Sequence, residues 1–238
     1  MKKRAVVKPK PNLRKALIIS LITLVSGAVI VLFLFHYNLT GTSLAYAGTY
    51  APPYTWNEYL LVNITCLIFI PMLIIFTLFR ENPQSYGLMR PQNDAAKIAL
   101  WFFLLMLPVL IIASRFPAFR NYYPIQKEAI YSVRYFLYFE ITYGFYLFCW
   151  EFFFRGFLTF GLEKRLGSIT AVILPSIAFC ALHWSKPVPE FLGSFIAGIA
   201  MGWLALRGKS FLPGFWIHWG LSMIFDILCI HGAPRAFL

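Results

Sequence analysis

The sequence predicts an all-α protein, a polytopic transmembrane helix bundle of about seven spans, from three observations. Of its 238 residues 60% are hydrophobic and 19% aromatic, against 13% charged, a far more apolar balance than a soluble domain carries. The apolar residues come in runs of about 20, the length a helix needs to cross a bilayer. The basic residues also gather at the front: seven of the 21 (Lys2, Lys3, Arg4, Lys8, Lys10, Arg14 and Lys15) precede the first run. In that place a net charge of +12 reads as a cytoplasmic anchor against the bilayer, so no nucleic-acid partner is expected.

The elements follow in order. Residues 1–15 form the basic flank, and 16–238 read as one transmembrane domain without internal repeats. The first span, 16–37, is too long for the apolar region of a signal peptide and lacks a convincing cleavage site, so it is expected to be retained. Residues 38–57 hold Gly41, Gly48, Pro52, Pro53, Tyr46, Tyr50, Tyr54 and Trp56, which suits an interfacial loop under an aromatic belt. Asn57 is the expected N-cap of the second span, 58–79. Further spans are expected over 95–114, 137–163, 168–186, 190–206 and 211–230. Pro71, Pro108 and Pro175 fall inside spans and predict kinks rather than ends. Ser194, Gly198 and Gly202 form a small-residue stripe for close helix packing. Cys66, Cys149, Cys180 and Cys229 lie in apolar segments without paired spacing and read as small buried hydrophobes.

Counted on alternate sides of these spans, the basic residues number 15 against 6, which puts the amino terminus in the cytoplasm. Arg115, Arg120, Lys127 and Arg134 run against the count, because they crowd a loop that it places outside.

Chemistry concentrates in three of the later spans. Glu151 and Arg155 share a helix face at i and i+4 inside the run from Trp150 to Gly156. An ionisable residue at membrane depth is costly and marks a site. Glu140 stands eleven residues earlier, at nearly the same angle but about 16 Å away along the axis. With Leu166-Gly167 as the turn, Glu151 and His183 each lie about 23 Å along their helices and reach one level. His218 lies nearer 14 Å from its own turn, so tilt or a kink at Pro213 has to close the difference. Ser222 shares the face of His218, and Asp226 lies about 80° round from it. Lys186 and Glu190 flank a proline-rich break and are either part of the site or a solvated turn.

Trp150-Glu151-x-x-x-Arg155, Phe179-x-x-x-His183 and His218-x-x-x-Ser222 together resemble the CAAX-protease and bacteriocin-processing family (CPBP, also called Abi), glutamate-type intramembrane endopeptidases. Order, spacing and membrane context agree over roughly 137–230. Two positions depart from the family pattern: Trp150 stands where the family has its first glutamate, and Ser222 where it has asparagine. The resemblance implies peptide hydrolysis on a membrane-associated or leader-bearing protein substrate, in the bacterial inner membrane, without cofactor or metal. It makes Glu151 the remaining candidate base, His183 its partner on the water, and His218 with Ser222 the oxyanion donors, with Arg155 tuning the acid and Glu190, Asp226 and Glu140 as possible accessories.

Three other readings compete. Two histidines and a glutamate can hold catalytic zinc, although the single-helix His-Glu-x-x-His pattern of many zinc proteases is absent. A non-catalytic relative that scaffolds a membrane partner would also keep this cavity. A transporter would relay protons through such residues, but the inverted repeat that it predicts is not found.

Overall fold

The computed structural model describes residues 13–44 and 53–232. The basic residues before position 13 and Tyr46, Gly48, Tyr50 and Pro52 lie outside them. The described chain forms α1 (Leu13–Thr40), α2 (Trp56–Phe79), α3 (Ala95–Ala113), a short α4 (Pro117–Tyr122), α5 (Val133–Ala181), α6 (Val188–Gly208) and α7 (Leu212–His231). All but α4 are long and apolar enough to cross a membrane. The 49 residues of α5 fold back on themselves at Gly167, whose φ of +77° only glycine adopts cheaply. Its two limbs bring the bundle to seven rods, as the sequence predicts.

Boundaries moved for local reasons. Thr55, not Asn57, caps α2: its hydroxyl accepts the Glu58 N–H at 3.2 Å, and the helix starts earlier than expected, at Trp56. Ser132 caps α5 in the same way through the Tyr135 N–H at 3.2 Å, which starts that helix at Val133. The descending limb of α5 ends at Ala181, leaving His183 in the turn before Pro187. Pro71, Pro108 and Pro175 are interior to their helices. Around Pro71, α2 widens into two π-helical turns, Thr65–Phe69 and Ile75–Phe79, of the kind that accommodates freed carbonyls.

Small residues set the helix spacing. A Cβ on Gly27 would stand 2.4 Å from Leu158, and one on Gly161 2.5 Å from Thr23, so α1 lies tight on the first limb of α5. Ser20 adds a hydrogen bond to the Gly161 carbonyl at 2.9 Å. The stripe on α6 packs on the second limb of α5, where a Cβ on Gly198 would meet Ser176 at 2.9 Å. Large apolar side chains such as Leu105 and Ile196 point outward, which suits contact with lipid.

Ion pairs tie the rods at one end. Glu81 is bound by Lys15 at 3.2 Å, by Lys164 and by the Tyr86 hydroxyl at 2.9 Å. Arg207 grips Asp94 through two bonds of 2.8 and 2.9 Å. At the opposite end Tyr123, Lys186 and Glu190 form a second polar cluster. Burial acts to raise the Glu81 pKa, but Lys164, Tyr86 and Lys15 outweigh it and hold the carboxyl below its ordinary value.

Gly198→Val should lower the melting temperature in detergent, since overpacking a tight helix contact costs about 1–3 kcal/mol; unchanged melting would show that α6 can move aside. For Glu81, stabilisation should be complete above its unfolded value of about 4.3 and be lost as pH falls through the lower folded one. Thermal melts across that window should show the loss in wild type and not in Glu81→Gln.

Candidate active site

The site is built from the first limb of α5 upward. After Glu151 the helix passes into a π-helical turn, Phe152–Leu158. Thr159 supports it by donating its hydroxyl to the Phe154 carbonyl five residues back, at 2.8 Å. Gly156 lets the turn press against the Tyr86 carbonyl, which a Cβ there would approach at 2.8 Å. Four of the five phenylalanines and leucines at 152, 153, 154, 157 and 158 show no exposed surface at all, so the turn is held from every side by apolar packing.

Within this packing Glu151 is completely buried and Arg155 is 2% exposed. Arg155 Nη1 donates to Glu151 Oε1 at 3.2 Å, and its guanidinium lies 4.0 Å from the centre of the Phe179 ring, a desolvated cation–π contact. His218, on α7, brings Nδ1 to the same Glu151 oxygen at 2.8 Å. The second oxygen, Oε2, has no protein partner among the described residues and faces Gly214, where a Cβ would come within 3.2 Å. Glycine at 214 therefore lets α7 approach the carboxylate.

His183 closes the group from the turn after α5. Its Nδ1 meets the Phe179 carbonyl at 2.8 Å, and its ring lies 4.4 Å from that of Phe179; His218 flanks Phe179 at 6.1 Å. Burial, reinforced by the Lys186 charge, pushes the His183 pKa well below its ordinary value, so the ring is neutral. A neutral imidazole whose Nδ1–H donates to a carbonyl keeps a lone pair on Nε2. His218 directs its Nδ1 to the carboxylate, which leaves Nε2 as the nitrogen turned away from Glu151. Both imidazoles line one cavity of about 140 Å³.

That cavity has a distinct chemistry. Trp150, Tyr143, Tyr146, Tyr59 and Lys186 share its wall, and no Asp or Glu side chain of the described residues lines it. Trp150 stands edge-on to His183 at 5.7 Å. Tyr59 and Tyr146 join hydroxyls at 2.7 Å. At the rim Lys186 donates to Glu190 at 2.7 Å and to the Tyr123 hydroxyl at 2.8 Å; burial opposes its charge, but Glu190 holds its pKa well above the ordinary value.

The structure therefore brings Glu151, Arg155, His183 and His218 together, with Lys186 and Glu190 alongside. The Glu151 carboxylate, expected to meet the water, is enclosed behind His218 and is not among the residues that line the cavity. Ser222 is half-buried one turn beyond His218 and does not line the cavity. Glu140 and Asp226 are enclosed within the bundle. They are 3% and 1% exposed, lie within hydrogen-bonding reach of each other, and none of their four oxygens meets another partner among the described residues. Neither lines the cavity. Tyr123, Tyr59 and Tyr146 were missed from the sequence. The spacing of Phe139, Tyr143, Tyr146 and Trp150, at four, three and four residues, is the helical-face signal that could have found Tyr146. Among the described residues no group of three or more His, Cys, Asp and Glu side chains is arranged to hold a metal ion.

Arg155→Met should cost about 3–5 kcal/mol, because it strands a buried carboxylate. Pairing it with Glu151→Gln should recover much of the loss, and thermal unfolding of both variants checks this.

Residues 132–224 match the family model described as Type II CAAX prenyl endopeptidase Rce1-like. No curated protein and no solved structure matches the chain. The matched residues hold Glu151, Arg155, both cavity histidines and Trp150, so the similarity to this family falls on the part of the bundle that builds the site.

Proposed function

We propose that this protein is an intramembrane endopeptidase that hydrolyses a peptide bond of a membrane-associated protein, with water activated by imidazole rather than by a carboxylate in direct contact. The activity that the family implies is CAAX-type intramembrane proteolysis. The observation that carries the mechanism is the 2.8 Å bond from His218 Nδ1 to the enclosed Glu151 beside a cavity that His183 shares. A carboxylate behind an imidazole fixes its tautomer and stabilises the imidazolium formed when the outer nitrogen takes a proton. Glu151 is thus a positioning residue, His218 and His183 are the groups that meet water, and Arg155 balances the buried charge. The lost proton can return to the leaving amine from the same imidazole.

The amino terminus is assigned to the cytoplasm on the basic-residue count. The cavity walls come from Asn38, Tyr54, Tyr122, Gln126 and Lys186, loop and helix-end residues at the end of the bundle away from Glu81. Substrate would accordingly meet the site from the outer half of a bacterial inner membrane.

A second reading, a non-catalytic protein that docks a membrane partner in this cavity, is favoured by one observation: Trp150 stands on the wall beside His183, and no carboxylate of the described residues lines it. Proteoliposomes carrying fluorogenic peptides with an apolar anchor separate the two. Under the peptidase reading His218→Ala and His183→Ala each lower kcat about 10²–10⁴-fold, and Glu151→Gln lowers it as well, together with the melting temperature, because Arg155 is left as a buried charge without its partner. Wild-type turnover no faster than that of His183→Ala would discard the peptidase and leave the docking protein.

A further inference from the structure

A second cavity, of about 370 Å³, lies on the outside of the bundle between α3 and α7. Its walls are Ala96, Ala99, Leu100 and Phe103 on α3, and Leu212, Pro213, Trp216 and Ile217 on α7, with Pro91 closing one end. The groove exists because both helices start with small or ring-bound residues: Ala96 and Ala99 on α3 and Pro213 on α7 line it. It runs over the first two turns of each, about 10 Å from the polar end of the bundle. Leu100 and Trp216 leave more than half their surface on its flanks. Every lining side chain is apolar, so whatever occupies the groove carries hydrocarbon.

The polar end supplies the second half of a ligand. The 91–95 segment is pinned to the end of α6: Gln92 N–H donates to the Gly208 carbonyl at 2.8 Å, and Asn93 donates to the Arg207 carbonyl at 2.7 Å. Arg90, next to Pro91, Lys97 on the first turn of α3, and Lys209, next to Gly208, are therefore carried on segments joined at this end of the bundle. All three are exposed, and among the described residues none of them is held in an ion pair; Asp94, the nearest acid, is already gripped by both arms of Arg207. Three cations thus crown a hydrocarbon groove at the depth where a headgroup meets acyl chain.

The geometry points to a binding site for an anionic phospholipid, with an acyl chain along the α3–α7 groove and its phosphate among Arg90, Lys97 and Lys209. Basic side chains between transmembrane helices attract anionic headgroups, and the groove adds shape that a flat basic belt lacks. Because α7 carries His218, lipid bound here would brace the helix that delivers an imidazole to the first cavity, yet the site stands whether or not that cavity catalyses.

Native mass spectrometry and thermal melting of the full chain in detergent test this with added phosphatidylglycerol, phosphatidylcholine or glycerol phosphate. Phosphatidylglycerol should be retained at least about fivefold better than phosphatidylcholine, the preference expected of a single basic contact, and should raise the melting temperature; glycerol phosphate, which has no chain, should do neither. Arg90→Gln/Lys97→Gln/Lys209→Gln should abolish the preference, and Ala96→Trp, which fills the groove from an exposed position, should reduce retention of both lipids. Equal retention of the two lipids by wild type, or a preference that survives the triple substitution, would overturn the site. Stabilisation by glycerol phosphate alone would reduce it to a phosphate patch without a chain groove and so overturn it as well.

Discussion

A carboxylate enclosed in an apolar bundle keeps its charge only if its partners are fixed, and Glu151 imposes that condition on the helices around it. Removing such an ion from water costs several kcal/mol, which only close and well-aligned partners offset. One partner, Arg155, lies on the same helix and is held flat over Phe179. The other, His218, belongs to α7, so the charge couples two helices that are distant in sequence. The approach of α7 depends in turn on Gly214, which leaves no side chain in front of the free carboxylate oxygen. The relative placement of α5 and α7, and hence of both imidazoles, follows from one electrostatic requirement.

Packing around that charge is aromatic to an unusual degree for a reason that the backbone supplies. The π-helical turn over Phe152–Leu158 changes the angular spacing of side chains, so three consecutive phenylalanines point to different neighbours and all are buried. Phe154 stands against Phe179 at 83°, and Phe152 against Phe211 at 71°. Edge-to-face contacts of this kind add about 0.5–1.5 kcal/mol each beyond burial. They also restrict rotation of the rings next to Arg155 and His183. The same aromatic density therefore stabilises the fold and limits where the polar atoms can go.

Much of this was legible in the sequence, and the parts that were not have physical causes. Span number and the fold-back at Gly167 could be read because hydrocarbon thickness dictates apolar run length and because a Lys-Arg-Leu-Gly break has no other place in a membrane helix. The pairing of Glu151 with Arg155 could be read from helical spacing. The accessory acids could not: Glu140 and Asp226 are far apart along the chain, and only the crossing of α5 over α7 puts them side by side. The enclosure of Glu151 was equally hidden. Spacing gives the face of a helix that a residue occupies, but not whether the helix crossing it will shut that face off from the cavity. The cap of α2 was misplaced for a smaller reason, since Thr55 and Asn57 are both competent caps and the choice rests on where Trp56 packs.

Trp150 decides what chemistry is left to the cavity. An acid at that position would sit beside His183 and give the wall a fixed negative charge. The indole instead presents an apolar edge to His183, while Tyr146 and Phe179 brace it from other sides. No carboxylate of the described residues lies on the wall; the two imidazoles line it, as does Lys186, itself compensated by Glu190. On the proposed reading, the enclosed Glu151 acts on the cavity from behind, through its bond to His218. That arrangement resembles a hydrolase whose carboxylate orients a histidine more than one whose carboxylate touches the water, because the indole of Trp150 occupies the wall beside His183 while the nearest carboxylate stands behind His218.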